Sequence, residues 1–181
     1  MKYTLWTGIL IALFMTTESV YAARISFTIG SVSIYQNNSW EKAKTGQQLY
    51  KNNIVKTGKN SLTIITFTNG SSVKMRENSQ VKISSLKQNN KTNNTLYLLQ
   101  GSLFSKVKKS KVPFSVRTNT IVVAVRGTEF FVIQNKSGKN AKDLWVCVNE
   151  GLVEIIRNTD QKTMLIPEGK GVLLKKGSVF T

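Results

Sequence analysis

Residues 62–75 read Leu-Thr-Ile-Ile-Thr-Phe-Thr-Asn-Gly-Ser-Ser-Val-Lys-Met, and their pattern decides the fold class. Leu62, Ile64 and Thr66 alternate with Thr63, Ile65 and Phe67, then Val73 and Met75 alternate with Lys74 and Arg76. Successive side chains of a strand point to opposite faces, so this is the period of a strand, not of a helix. Asn69-Gly70 sits between the two runs. Both residues accept positive φ, which makes the pair a strong hairpin signal between strands.

The same pattern extends in both directions. Upstream, residues 25–34 begin the strand pattern, interrupted at Gly30, and Ile54-Val55-Lys56-Thr57-Gly58 is a strand ending in a turn. Downstream, Val81 and Ile83 alternate with Lys82 and Ser84. Leu96-Tyr97-Leu98-Leu99 leads to Gly101, and residues 114–118 (FSVRT) alternate cleanly. Residues 121–133 are apolar except at Arg126-Gly127-Thr128-Glu129. Further strands flank Glu150-Gly151 and Pro167-Glu168-Gly169. The stretch 87–95 (KQNNKTNNT) has no apolar residue and predicts an exposed loop. Residues 40–49 offer the one short helical turn. The expected class is therefore all-β, about a dozen short strands in one domain, wound as a solenoid or a sandwich. The glycines are unevenly spaced, so no fixed repeat follows from them.

Residues 1–22 are set apart. Met1-Lys2 is a charged start, residues 5–15 are apolar, and Val20-Tyr21-Ala22 has the compact residues of a processing site. The apolar run is shorter than the roughly 20 residues a membrane-spanning helix needs. This predicts a signal peptide over 1–22, cut after Ala22, and a single domain over 23–181. Cys147 is the one cysteine, so no intrachain disulfide can form; its apolar neighbours predict a buried small hydrophobe.

The chain has no histidine, which removes the commonest general base and metal ligand. Zinc needs Cys or His in numbers absent here, and no phosphate-binding glycine loop is present. Glu150 and Glu154, if on one strand, stand about 13 Å apart. A retaining glycosidase needs about 5 Å. The sequence predicts no enzyme, no cofactor, no metal and no small-molecule substrate.

The order of the strand motifs resembles the FecR domain, named for the ferric-citrate regulator of the bacterial cytoplasmic membrane. Gly30-Ser31-Val32, Trp40, Gly46 and Leu49 come first, followed by Ile54-Val55-Lys56-Thr57-Gly58 and Phe67-Thr68-Asn69-Gly70-Ser71. Then come Leu98-Leu99-Gln100-Gly101-Ser102-Leu103, Phe114-Ser115-Val116-Arg117-Thr118, Ala124-Val125-Arg126-Gly127-Thr128-Glu129-Phe130 and Val148-Asn149-Glu150-Gly151-Leu152-Val153. The resemblance implies an all-β module of the periplasm or cell envelope that binds a protein or an envelope component and does no chemistry. The regulator carries a cytoplasmic anti-sigma segment and a membrane helix ahead of its domain. Here a signal peptide is expected in that place, so what the resemblance carries over is the fold and an extracytoplasmic interaction module.

Two clusters are candidate sites. Arg126, Gly127, Thr128 and Glu129 form the family signature. They are expected to be structural, with Gly127 at a bulge of positive φ and Arg126 paired to Glu129 or bonded to backbone. Lys106, Lys108, Lys109 and Lys111 form the densest cationic run. They are a possible polyanion contact or a solvated hairpin edge. The net charge of +17 suits an anionic polymer such as cell-wall polymer, lipopolysaccharide or nucleic acid. It also suits a genome rich in Lys, Asn and Ile codons. Trp40, Trp145, Phe67 and Phe114 are expected in the core.

Overall fold

The computed structural model describes residues 23–86, 93–134 and 143–175. The leader expected at 1–22 and residues 87–92 of the polar stretch lie outside the described residues. The described chain forms sixteen strands and no helix. In chain order the first eight are β1 (Ala23–Ile29), β2 (Val32–Gln36), β3 (Ser39–Lys42), β4 (Gln48–Leu49), β5 (Ile54–Thr57), β6 (Leu62–Phe67), β7 (Ser72–Met75) and β8 (Gln80–Ser85). The rest are β9 (Asn94–Val107), β10 (Phe114–Arg117), β11 (Ile121–Val125), β12 (Thr128–Gln134), β13 (Leu144–Glu150), β14 (Leu152–Arg157), β15 (Thr163–Pro167) and β16 (Gly171–Leu174).

The long strand β9 organises the molecule. Its second half pairs with β7 and β12, in a first layer ordered β4-β1-β6-β7-β9-β12-β13-β16. Its first half pairs with β8 and β10, in a second layer ordered β3-β2-β5-β8-β9-β10-β11-β14-β15. The β9–β10 ladder is parallel, and the others among the described residues are antiparallel. The two layers are thus one hydrogen-bonded network, folded over a shared core and not closed into a barrel.

Alternation explains the packing. On β6, Thr63, Ile65 and Phe67 are buried while Leu62, Ile64 and Thr66 face outward. Phe67 of the first layer meets Phe114 of the second edge to face, ring centroids 5.3 Å apart. Such a pair adds about 0.5–1.5 kcal/mol beyond the area it buries.

Nearly every crossing between layers turns on a residue with positive φ: Gly30, Gly46, Asn52, Asn60, Asn78, Gly101, Gly127, Gly151 and Gly169. The crossing over residues 108–113 is the exception. A Cβ penalises this conformation, glycine escapes the penalty, and asparagine tolerates it. At Gly101, where β9 changes layer, a Cβ would also collide with Ser79 Oγ and Cα. Ser79 is buried; its hydroxyl donates to Ser102 O (3.2 Å) and accepts from Ser102 N (2.9 Å).

Several expectations change. Residues 40–49 hold no helical turn: β3, a turn and β4 occupy them. Asn94 and Thr95 are not loop but the buried start of β9. Glu150 and Glu154 do not share a strand, because the chain changes layer at Gly151. Phe67 and Phe114 are in the core, but Trp40 and Trp145 are 47% and 45% exposed. Trp145 lies on an outward position between the buried Leu144 and Val146, whereas Trp40 belongs to the edge strand β3, all four of whose residues are exposed. Cys147 is half-buried on the same outward face as Trp145.

Candidate interaction surfaces

The signature Arg126-Gly127-Thr128-Glu129 lies where β11 of the second layer becomes β12 of the first. Gly127 has φ 69, and a Cβ there would lie 2.9 Å from Lys109 Cβ. A Cβ on Gly151 would lie 2.9 Å from Gly127 O, so two crossings pack against each other. Thr128 is buried, and its hydroxyl donates to Leu152 O (3.1 Å), tying these crossings together. The bulge expected at Gly127 lies slightly further on: the β12–β13 register slips between Glu129 and Phe130, around Asn149.

Arg126 does not pair with Glu129. Glu129 forms its ion pair with Lys106 of β9 and accepts from Asn149 Nδ2 (3.3 Å). Opposed registry places Glu129 across from Lys106 on one side and Glu150 on the other. The hydrogen bond from Lys106 holds the Glu129 carboxyl below its ordinary range, against the opposing effect of desolvation. The same bond holds the Lys106 ammonium above its ordinary range. Arg126 is exposed and lines a shallow depression with Ser110, Lys111, Pro113 and Val125.

The lysine run is not a hairpin. Residues 108–113 carry the chain from the first layer to the second, where β10 pairs in parallel with the first half of β9. Lys108, Lys109 and Lys111 are exposed on this connection, and Lys106 is held by Glu129. Lys108 N donates to the buried Ser71 Oγ (3.0 Å), and Lys109 lies over Gly127. The backbone of the run is therefore held at Lys108 and packed against the neighbouring crossing at Lys109.

Two surfaces escaped the motif reading because they arise from cross-strand registry. The outer face of the first layer is apolar. Phe104 of β9 lies opposite Phe131 of β12, which lies opposite Cys147 of β13. The next row is Ile133, Trp145 and Leu173. Phe104 and Phe131 stack with centroids 4.6 Å apart. Phe27 and Ile64 extend the first row beyond Lys74. The only sequence signal was a doubling of apolar character: β12 and β13 have large apolar residues at outward as well as inward positions.

The outer face of the second layer is aromatic and cationic. One row runs Trp40, Tyr35, Ile54, Lys82, Tyr97, Arg117. Trp40 and Tyr35 rings are 5.4 Å apart and tilted by 54°, and Lys56 Nζ lies 5.8 Å from the Trp40 ring. Beside Tyr97 and Arg117, a polar depression is lined by Ser84, Ser85, Thr95 and Asn158. Among the described residues, no three His, Cys, Asp or Glu side chains come together as a metal site, and no helix is long and apolar enough to cross a membrane.

Two layers joined through β9, with contrasting outer faces, define an all-β two-layer domain. The model of the FecR protein family matches residues 53–154, more than half of the 181 residues, and the chain belongs to that family. Two crystal structures of a candidate anti-sigma factor from Parabacteroides distasonis, at 1.65 Å and 2.50 Å resolution, are similar to it with a TM-score of 0.57 and 18% identity. The match covers 67% of this chain and 54% of theirs, so this chain spans about half the length of those solved chains. At that identity the likeness is one of fold. No curated protein matches the chain.

Proposed function

We propose that this chain is an exported, non-catalytic interaction module of the bacterial periplasm or cell envelope, which binds a protein partner in a regulatory role. The observation that carries the reading is the apolar outer block of Phe104, Phe131, Ile133, Trp145 and Leu173. Soluble chains rarely leave contiguous apolar patches uncovered, and those that do so generally use them for association. Family membership and the anti-sigma description of the similar structures support a regulatory role. Export rests on the charged start, the short apolar run and Val20-Tyr21-Ala22.

The test is site-specific photocrosslinking in the producing cell, with the crosslinker at Ile133 or at Lys82. A discrete adduct from position 133 that disappears with Trp145→Lys supports the reading. Equal adducts from both positions, or none from 133, overturn it. Intact mass of the exported chain tests the leader: a mass retaining residues 1–22 overturns the free envelope module.

A second reading is polyanion contact through the lysine run. The shared exposure of Lys108, Lys109 and Lys111 on one connection favours it, although Lys106 is occupied by Glu129. Substitution of these three by Gln, with affinity read across a salt series, tests it.

A further inference from the structure

We infer that the outer face of the second layer is a binding surface for an anionic polysaccharide, a glycan chain bearing carboxylate or phosphate groups. This face is separate from both the apolar face and the lysine connection.

Charge complementarity carries the inference. Lys56, Lys82 and Arg117 project from β5, β8 and β10, with Lys42 on β3. Outward positions alternate with the buried residues Val55, Val81, Ile83, Leu96 and Val116, which fixes which side chains share this face. No outward position on β2, β5, β8, β9 or β10 holds a carboxylate; Glu41 is exposed on the edge strand β3 between Trp40 and Lys42, where it accepts from Gln36 and Ser39, and on the other side the first is Glu154, on β14. Lys56, Lys82 and Arg117 therefore have no carboxylate on their own strands, unlike Lys106 opposite Glu129 on the other layer. Lys82 and Arg117 stand on the row that begins at Trp40, and Lys42 and Lys56 stand on the neighbouring row, paired through Ser33; from Trp40 of β3 to Arg117 of β10 is five strand spacings, about 24 Å at 4.8 Å each. That length suits a chain lying across the strands better than a small anion.

The aromatic and polar groups choose the kind of polymer. Trp40, Tyr35 and Tyr97 offer ring faces and edges along the row. Trp40 and Tyr35 are tilted by 54°, so they form a corrugated surface and not a coplanar platform for successive bases. The C–H faces of sugar rings pack on such aromatic surfaces by burying apolar area. Next to Tyr97 and Arg117, the depression is lined by Ser84, Ser85, Thr95 and Asn158. Hydroxyl and amide groups both donate and accept, as the hydroxyls of a sugar require. Tyr97 OH already bonds Asn119 Oδ1, and Asn158 Nδ2 donates to Asn119 O (3.1 Å), which holds that end of the row in place. Stacking for a planar base would need flat exposed rings, and hydroxyl lining adds nothing to it.

The experiment uses the full chain with three probes: polygalacturonate, phosphomannan and a thymidine oligonucleotide of matched charge, with uncharged dextran as control. Affinity is measured across a salt series. At low salt, polygalacturonate or phosphomannan is expected to bind at least tenfold more tightly than the oligonucleotide, and dextran not at all; whichever glycan binds more tightly identifies carboxylate or phosphate as the charge read. For Lys82→Gln with Arg117→Gln, affinity falls at least tenfold. The log–log salt slope falls by about 1.4, taking about 0.7 per neutralised charge of a single-stranded polymer. In a Trp6→Phe background, Trp40→Phe leaves the slope unchanged and removes the tryptophan fluorescence change expected on binding, because Trp145, the remaining tryptophan, lies on the opposite layer. Absence of glycan binding at low salt overturns the inference. So does a stronger preference for the oligonucleotide, or loss of binding in Lys108→Gln, Lys109→Gln, Lys111→Gln with none in the Lys82 and Arg117 variant. The photocrosslink at Ile133 is a separate readout, so failure of the protein-partner reading is distinguishable from failure of this one.

Discussion

Replacing Gly127 by Val probes the crossing at which the signature sits. Two costs add. The residue has φ 69, and a left-handed conformation costs an L-residue about 1–2 kcal/mol. The new Cβ would also lie 2.9 Å from Lys109 Cβ and 3.2 Å from Lys109 Cα, so the backbone of the lysine connection must give way. That connection is anchored by Lys108 N to Ser71 Oγ (3.0 Å), which limits relaxation, and crowding of this kind costs about 1–3 kcal/mol. With partial relaxation the sum is about 2–3 kcal/mol. A domain of this size holds about 5–15 kcal/mol, so the variant folds but is weakened. Urea unfolding with a slope of about 2 kcal/mol/M then shows its midpoint lowered by about 1–1.5 M. Lys109→Gly in the same chain removes the contacting Cβ and is expected to restore part of the loss, a coupling a double-mutant cycle reads directly. Gly127→Asn, which tolerates positive φ, keeps the collision but loses less than Val. An unchanged midpoint for Gly127→Val refutes the structural reading of Gly127 and leaves recognition as its role.

Ser79→Ala is expected to destabilise by about 1 kcal/mol, because the part-buried Ser102 N–H loses the acceptor that the hydroxyl supplies, while Ser102 C=O keeps its bond from Arg76 N (3.3 Å); urea unfolding measures it. Ser105→Ala should be neutral or stabilising by up to about 1 kcal/mol, since the Ser105 hydroxyl is buried with no hydrogen-bond partner; thermal melting checks it. Glu129→Gln tests the ion pair by pH. The folded carboxyl sits below its ordinary value of 4.5, so its contribution is present above that value and is lost as the pH falls through the lower folded value. The wild type should therefore lose more stability than the variant on acidification below 4.5, and parallel stability–pH curves would contradict the pairing.

The strands were legible because burial on one face of a layer imposes a period of two. Residues 62–75, Phe114 to Thr118 and the break at Arg126-Gly127 all stand where that period places them. The repeat of layer crossings was not legible from glycines alone. Asn52, Asn60 and Asn78 do the same conformational work as Gly101 and Gly127, and in an Asn-rich chain they do not stand out. Trp40 and Trp145 were misread as core for a related reason. Apolar identity says that a side chain prefers burial, while its parity along the strand decides which side it faces.

Local chemistry in the chain determined the class, the turn positions and the family, since alternation and positive-φ residues act over a few neighbours. Partnerships between distant residues were decided only when β9 joined the two layers. Lys106 could have paired with any nearby carboxylate, and the antiparallel register of β9 with β12 gave it Glu129 and left Arg126 exposed. Likewise Lys82, Tyr97 and Arg117 come from three separate stretches, and the ladders of β8, β9 and β10 place them side by side. Strand order and register are set by the whole core at once, and a shift of one residue turns each side chain to the other face. For that physical reason the two outer faces belong to the tertiary structure.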